Sequence, residues 1–552
     1  MRRILRGGRV VDPVHGVDAV RDVHMDGERI VPPFPDGEAA EIVDVSGCLV
    51  MAAGIDLHSH IGGGKMVIAR ELMGEDHRRH RHAADGPFRA GSGRAVPSSF
   101  ATGYAYARMG YTMAFEPAML PANARGAHLE MADIPVLDRG AYVLLGNDDL
   151  LLRLLARGET TAVRDLVAWM LRATRAMAVK IVNPGGIEAF KWGLRRIDLD
   201  EAGPHYGLTP RRILTALAEA VDALGLPHPV HVHGLHLGLP GSAETTRATI
   251  AALEGRRAHL THLQFHAYGR GGPRGFSSGA AEIAELINRS PNISLDVGQV
   301  MFGTTVTASG DTMSQHRNAA HAHPRRWCVM DIECEAGCGV VPFRYRDRNF
   351  VHALQWAIGL ELFLLVEDPW RLALTTDHPN GAPFTAYPEL IRLLGDRDYR
   401  NAVLERLPAA VREVSHLADI RREYTLSEIA IVTRAAPARL LGLADRGHLG
   451  PGAVADVVVY APGPDLAATF ATPRHLLKAG RFVVENGALR PEAATLRGAV
   501  HAVEAPFDPA IRRHAAAFFE DFRGLRLESF ELGDDELAEL GPLRVHGPTA
   551  AS

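Results

Sequence analysis

Apolar and polar positions alternate in short runs at both ends of the chain. Arg9-Val-Val-Asp-Pro, Asp22 to Val31 and Glu41-Ile-Val-Asp-Val each read as a strand, and Asp26-Gly27 between two such runs is a hairpin signal. The same texture returns in Ala455-Asp-Val-Val-Val-Tyr and in Lys478 to Gly487, so residues 1–50 and 442–495 are expected to build one small β-sandwich from both chain ends. Between Met51 and Leu441 the period changes. Aliphatic runs such as Ala178-Val-Lys-Ile-Val alternate with helical stretches such as Pro210 to Leu224. That alternation predicts parallel strands with crossover helices, and residues 51–441 are long enough for a distorted (β/α)8 barrel of the TIM type. The fold class is α/β.

Two segments break the alternation, at about 62–97 and 304–349. Both are rich in Arg and His, the first also in Gly, and are expected as loops over the barrel mouth. Residues 496–552 form a C-terminal extension with one amphipathic helical stretch, Pro509 to Phe522, which suits either a packing helix with a frayed end or a contact for a partner protein.

In such a barrel, chemistry sits where strands end. Asp56-Leu-His-Ser-His closes one apolar run, and side chains two apart on a strand point the same way, so His58 and His60 converge as a metal-binding pair. Other strand ends carry Lys180, His233, His262 and Asp377. His233 and His262 lie 29 residues apart, about one βα unit. His231 and His259 suit partners that orient the ligands, or plain core residues. His77, His80 and His82 are expected on a solvated loop.

Composition narrows the field. With 552 residues, 47% hydrophobic and 23% charged, the chain suits a soluble protein with a large core. Its 60 Lys and Arg against 65 Asp and Glu provide no basic field for nucleic acid. Cys48, Cys328, Cys334 and Cys338 form neither a disulfide framework nor a zinc ribbon, and no secretory or spanning apolar window is present. A reduced cytoplasmic compartment is expected, with no membrane partner.

The order His-x-His, Lys, His, His, Asp over successive strand ends resembles the amidohydrolase superfamily. That resemblance implies two zinc ions held by His58, His60, Lys180, His233, His262 and Asp377, with Lys180 carboxylated by CO2 to bridge them. A cationic lysine among four imidazoles would repel the metals, a conflict that a carbamate removes. Two metals would bring the pKa of a water down toward about 7, and Asp377 would carry its proton to a leaving nitrogen.

Longer strings narrow the resemblance: Ile55 to Lys65, Val179-Lys-Ile-Val-Asn-Pro-Gly-Gly, His262-Leu-Gln-Phe-His-Ala-Tyr-Gly and Thr375-Thr-Asp-His-Pro-Asn-Gly. They resemble the family that unites the amidohydrolase subunits of formylmethanofuran dehydrogenases with the alpha subunits of bacterial formyltransferase/hydrolase complexes. The implied reaction is hydrolysis of N-formylmethanofuran to formate and methanofuran, inside a hetero-oligomeric complex serving one-carbon oxidation. The alternatives are the reverse condensation in an archaeal-type enzyme, a stand-alone cyclic amidase or aminoacylase, and a scaffold. An Ala- and Arg-rich composition favours the bacterial direction. Methanofuran carries a glutamate tail, for which Arg317, Arg325, Arg326, Arg344, Arg346 and Arg348 are candidate contacts.

Overall fold

The computed structural model describes residues 1–35, 37–332 and 336–548. Eight strands of a ten-stranded sheet form the barrel: β1 Gly54–Asp56, β2 Tyr111–Met119, β3 Asp138–Leu144, β4 Ala178–Val182, β5 Val230–His233, β6 Ala258–Leu260, β7 Ile293–Asp296 and β8 Leu372–Ala373. Each pairs in parallel with the next. The ring is nearly closed past the ends of β1 and β8, where Ser59 bridges His378 and His60 N donates to His378 O at 2.7 Å.

The strands are buried almost throughout because helices cover the outside. The helix Pro210–Ala223 shows why the chain folds this way. Thr209 caps it by accepting from Arg212 N, proline opens it, and Ile213, Leu214, Leu217 and Val221 turn inward at helical spacing. Register then sets the layers of the interior: Lys180 lies opposite His231, and His231 opposite His259.

The chain ends meet in a nine-stranded mixed sheet. Its first strand, Arg2–Asp12, pairs antiparallel with Val17–Asp26 on one side and parallel with Glu41–Asp44 and Leu49–Ala52 on the other. Val457–Tyr460, from the far end of the chain, adds to Leu49–Ala52. The expected hairpin turns at Gly27, whose φ of 58° suits glycine.

Three expectations need correction. The stretch 62–97 is no loop: it holds helices α1 Gly64–Leu72 and α2 Gly74–Arg79 and a short hairpin. The stretch 304–349 holds an antiparallel sheet, Gly303–Ser309, Cys328–Ile332 and Ala336–Tyr345, and helix α3 Thr312–Asn318. The described parts of the two stretches cover each other, with Met66, Ala69 and Met73 packing on Val306, Ala308 and Val340; burying a methionine or valine side chain contributes roughly 1.5–3 kcal/mol. The C-terminal extension is not frayed over its described length. Val500–Val503 joins the central sheet beside β3 and carries Leu543–His546, while Phe519 and Phe530 close on Trp169.

Cys48 and Cys328 are free thiols, and Cys334 lies outside the described residues. Among the described residues no helix is long and apolar enough to cross a membrane.

Candidate metal centre

The ends of the barrel strands surround a cavity of about 510 Å³ whose wall includes His58, His60, Lys180, His233, His262 and Asp377. Two groups of side chains there can hold a metal ion. His58, His60 and Asp377 bring ligand atoms within 4.8 Å of one another, and so do His233, His262 and His266. One oxygen of Asp377, Oδ1, lies 2.9 Å from His58 Nε2 and 3.3 Å from His60 Nε2. A further group joins His58 to His231 and Asp296 one layer deeper. Asp12, His15 and His448 also cluster, on the terminal sheet, but His448 commits both ring nitrogens to Ala444 O and Gly450 N.

The backbone works to make this convergence. His262 and Asp377 adopt left-handed conformations, φ 36° and 51°, each costing of order 1–3 kcal/mol that the surrounding packing must offset. Gly298 passes between them, and a Cβ there would stand 2.3 Å from His262 Cβ. Asn380 Nδ2 donates to Asp377 Oδ1 at 2.9 Å.

Carboxylates behind the imidazoles orient them. Glu116 Oε1, within β2, faces His60 Nδ1 at 2.9 Å and accepts from Lys65 Nζ at 2.7 Å. Burial alone would raise its pKa, but Lys65 and His60 outweigh that and hold it below the usual carboxylate range. Asp311 Oδ2 faces His233 Nε2 at 3.1 Å. Burial again opposes ionisation, yet His233 brings Asp311 down to about 2, while burial keeps His233 below its ordinary value. Together these describe a carboxylate accepting from a neutral imidazole. Lys180 is 2% exposed, and burial lowers its pKa to about 7 against the pull of Asp296 and Asp377.

His77 and His80 stand apart from this centre: His77 bonds Ser92 Oγ and His80 bonds Asp76, so they belong to the folded α2 region, not to a solvated loop. Of the six arginines, Arg317, Arg344 and Arg346 line the cavity, joined by Arg274. Arg326 instead pairs with Glu75, and Arg325 and Arg348 are exposed and absent from the wall. Sequence reasoning missed Glu116, Asp296, Asp311 and His266. Asp296 closes β7 as the other site residues close their strands, so the same rule finds it, whereas Glu116 lies inside an apolar strand and Asp311 has no such signal.

The sequence profile of the amidohydrolase family matches residues 41–484. The chain is 46% identical over 546 residues to the FhcA component of the formyltransferase/hydrolase complex of Methylorubrum extorquens, covering 97% of both proteins. It is 41% identical over 507 residues to the protein FwdA of Methanocaldococcus jannaschii, covering 88% of each. The crystal structure of the Methylorubrum extorquens formyltransferase/hydrolase complex FhcABCD with methylofuran contains a polypeptide that superposes with a TM-score of 0.94 at 44% identity, over 100% of both chains. The chain belongs to the amidohydrolase family, within the branch that holds FhcA and FwdA.

Proposed function

We propose that this chain hydrolyses the formyl amide of an N-formylmethanofuran-type carrier to formate and the free amine, at a binuclear zinc centre bridged by carboxylated Lys180. The observation that carries this reading is Lys180, a buried amine whose pKa burial lowers to about 7, on the wall of a cavity also lined by His58, His60, His233, His262 and Asp377. A neutral amine adds to CO2, forming an N–C bond and releasing one proton, and the product carries two oxygens able to face two cations. The donor set fits such ions, since His262 Nδ1 and His266 Nε2 are buried without a hydrogen-bond partner among the described residues.

His58, His60 and Asp377 would hold one ion; His233 and His262 would hold the other; Lys180 would link them. Bound there, such ions supply a water that ionises near neutrality and polarise a carbonyl oxygen. Asp377, which accepts a hydrogen bond from Asn380, would take a proton from the attacking water and return it to the leaving nitrogen as the C–N bond breaks. Arg274, Arg317, Arg344 and Arg346 give the cavity a cationic rim suited to an acidic carrier tail.

The Methylorubrum relative belongs to a complex crystallised with methylofuran. This full-length likeness supports reading the present chain as one component of a hetero-oligomeric formyltransferase/hydrolase complex; formate release as the working direction and a cytoplasmic location are part of the proposal. The decisive experiment is metal analysis with a formate-release assay on the formylated carrier. About two zinc per chain are expected, falling in Lys180→Ala and partly restored by a short carboxylate. An active protein without metal overturns the assignment.

A further inference from the structure

Beneath His58 the barrel holds a column of imidazoles where branched aliphatic side chains ordinarily fill the interior. His58 Nδ1 lies 2.9 Å from His231 Nε2, His231 Nδ1 2.9 Å from His228 Nε2, and His228 Nδ1 3.0 Å from the carbonyl oxygen of Leu440. His58 and His231 are wholly enclosed and His228 is 2% exposed. Neighbouring rings hold the column: Tyr142 stacks on His228 at 5.4 Å, and His259 on His231 at 4.7 Å.

A carbonyl oxygen can only accept. The proton of His228 therefore sits on Nδ1, its Nε2 carries a lone pair, and His231 donates to it from Nδ1. The lone pair of His231 then lies on Nε2, and the atom facing it, His58 Nδ1, must carry the proton. His58 Nε2 is left unprotonated and turned toward His60 and Asp377. In the neutral rings the Leu440 carbonyl thus sets the order of donor and acceptor along the whole column.

We propose that His228 and His231 are positioning residues that fix the tautomer and orientation of His58, presenting its Nε2 lone pair to the cation shared with His60 and Asp377. The proposal rests on the reading of His58 as a metal ligand. Asp296 supplies a second, parallel constraint. Its Oδ2 lies 3.0 Å from the same His58 Nδ1, faces His259 Nε2 at 3.2 Å and accepts from the Thr261 hydroxyl at 2.7 Å. The carboxylate reaches His58 from β7, whereas the column descends through β5 to the end of the helix Ala436–Leu440. A ligand at the mouth is thereby tied to the barrel floor.

The test uses the full-length cobalt-loaded protein and His228→Phe, which keeps a ring against Tyr142 and removes both hydrogen bonds. Chelator competition should show one of the two cations, that of His58, held about tenfold more weakly, with the other unchanged. The melting temperature of the metal-free variant should stay near that of the parent. Equal weakening of both cations, or of neither, overturns the proposal. Should His228→Phe not fold, His231→Asn decides: its amide still donates toward His228 but offers His58 no ring acceptor, and an unchanged pair of affinities overturns the column's role. A parent chain that binds no cobalt removes the metal reading itself, an outcome distinct from a parent that binds two while the variants match it.

Discussion

The terminal sheet and the barrel interior are both dry, but they are filled by opposite kinds of side chain. The sheet closes over Leu5, Val10, Val50, Val457, Val459 and Leu477, an aliphatic core that needs no partners beyond shape. The barrel encloses His58, His228, His231, His259, Asp296 and Asp377 at 4% exposure or less. Each of these must find a hydrogen bond or an ion, because an unpaired buried polar group costs about 1–3 kcal/mol. The sheet therefore buries for stability, while the barrel buries polar groups that stability alone would not select.

That contrast can be broken at the barrel first. Asp377→Asn should lower formamide turnover by about 10³-fold with little change in melting temperature, since it removes the proton carrier and leaves the packing; unaltered turnover would return Asp377 to a structural part. Next come two deletions with similar stability costs and different functional ones. Asp296→Ala strands the His259 N–H, leaves His58 Nδ1 with His231 as its remaining ring partner, and should destabilise the metal-free protein by about 3–5 kcal/mol in denaturant titrations, while also weakening metal binding. Leu477→Ala in the terminal sheet should cost about 2–5 kcal/mol with metal content and activity intact.

A smaller effect concerns acid. Asp311 has a folded pKa of about 2, below its unfolded value near 4, so its stabilisation is fully present above about pH 4 and fades as pH falls toward 2. Asp311→Asn should remove about 2–3 kcal/mol from that acid limb in the metal-free protein, with no such loss below pH 2. Smallest is the rim: Arg317→Ala should raise the Michaelis constant for an acidic carrier about tenfold at unchanged zinc content, and Arg325→Ala should leave both as they are.

The barrel was readable because each of His58, Lys180, His233, His262 and Asp377 follows an aliphatic run, and strand direction then brings the ends together. Asp296 follows Ile293-Ser-Leu, a shorter run broken by a serine, and the six-ligand pattern accounts for the site without it. The insertions hid more. Their density of Arg and His obscures the short apolar faces of α1 and of Gly303–Ser309, whose burial depends on a partner more than two hundred residues away in sequence. Charge counts likewise locate an arginine-rich segment without saying which way each side chain points, so Arg344 and Arg348 look alike until the hairpin is built.

Asp311 joins two roles in one carboxylate, capping α3 through Ser314 N and holding His233, a residue 78 positions earlier in the chain. His233 thus acquires its final orientation only when the second insertion has docked. During synthesis the first histidine pair must wait for Asp377, and the second for Asp311. On the proposed assignment, the order of emergence from the ribosome leaves the centre incomplete until Asp311 and Asp377 have both docked.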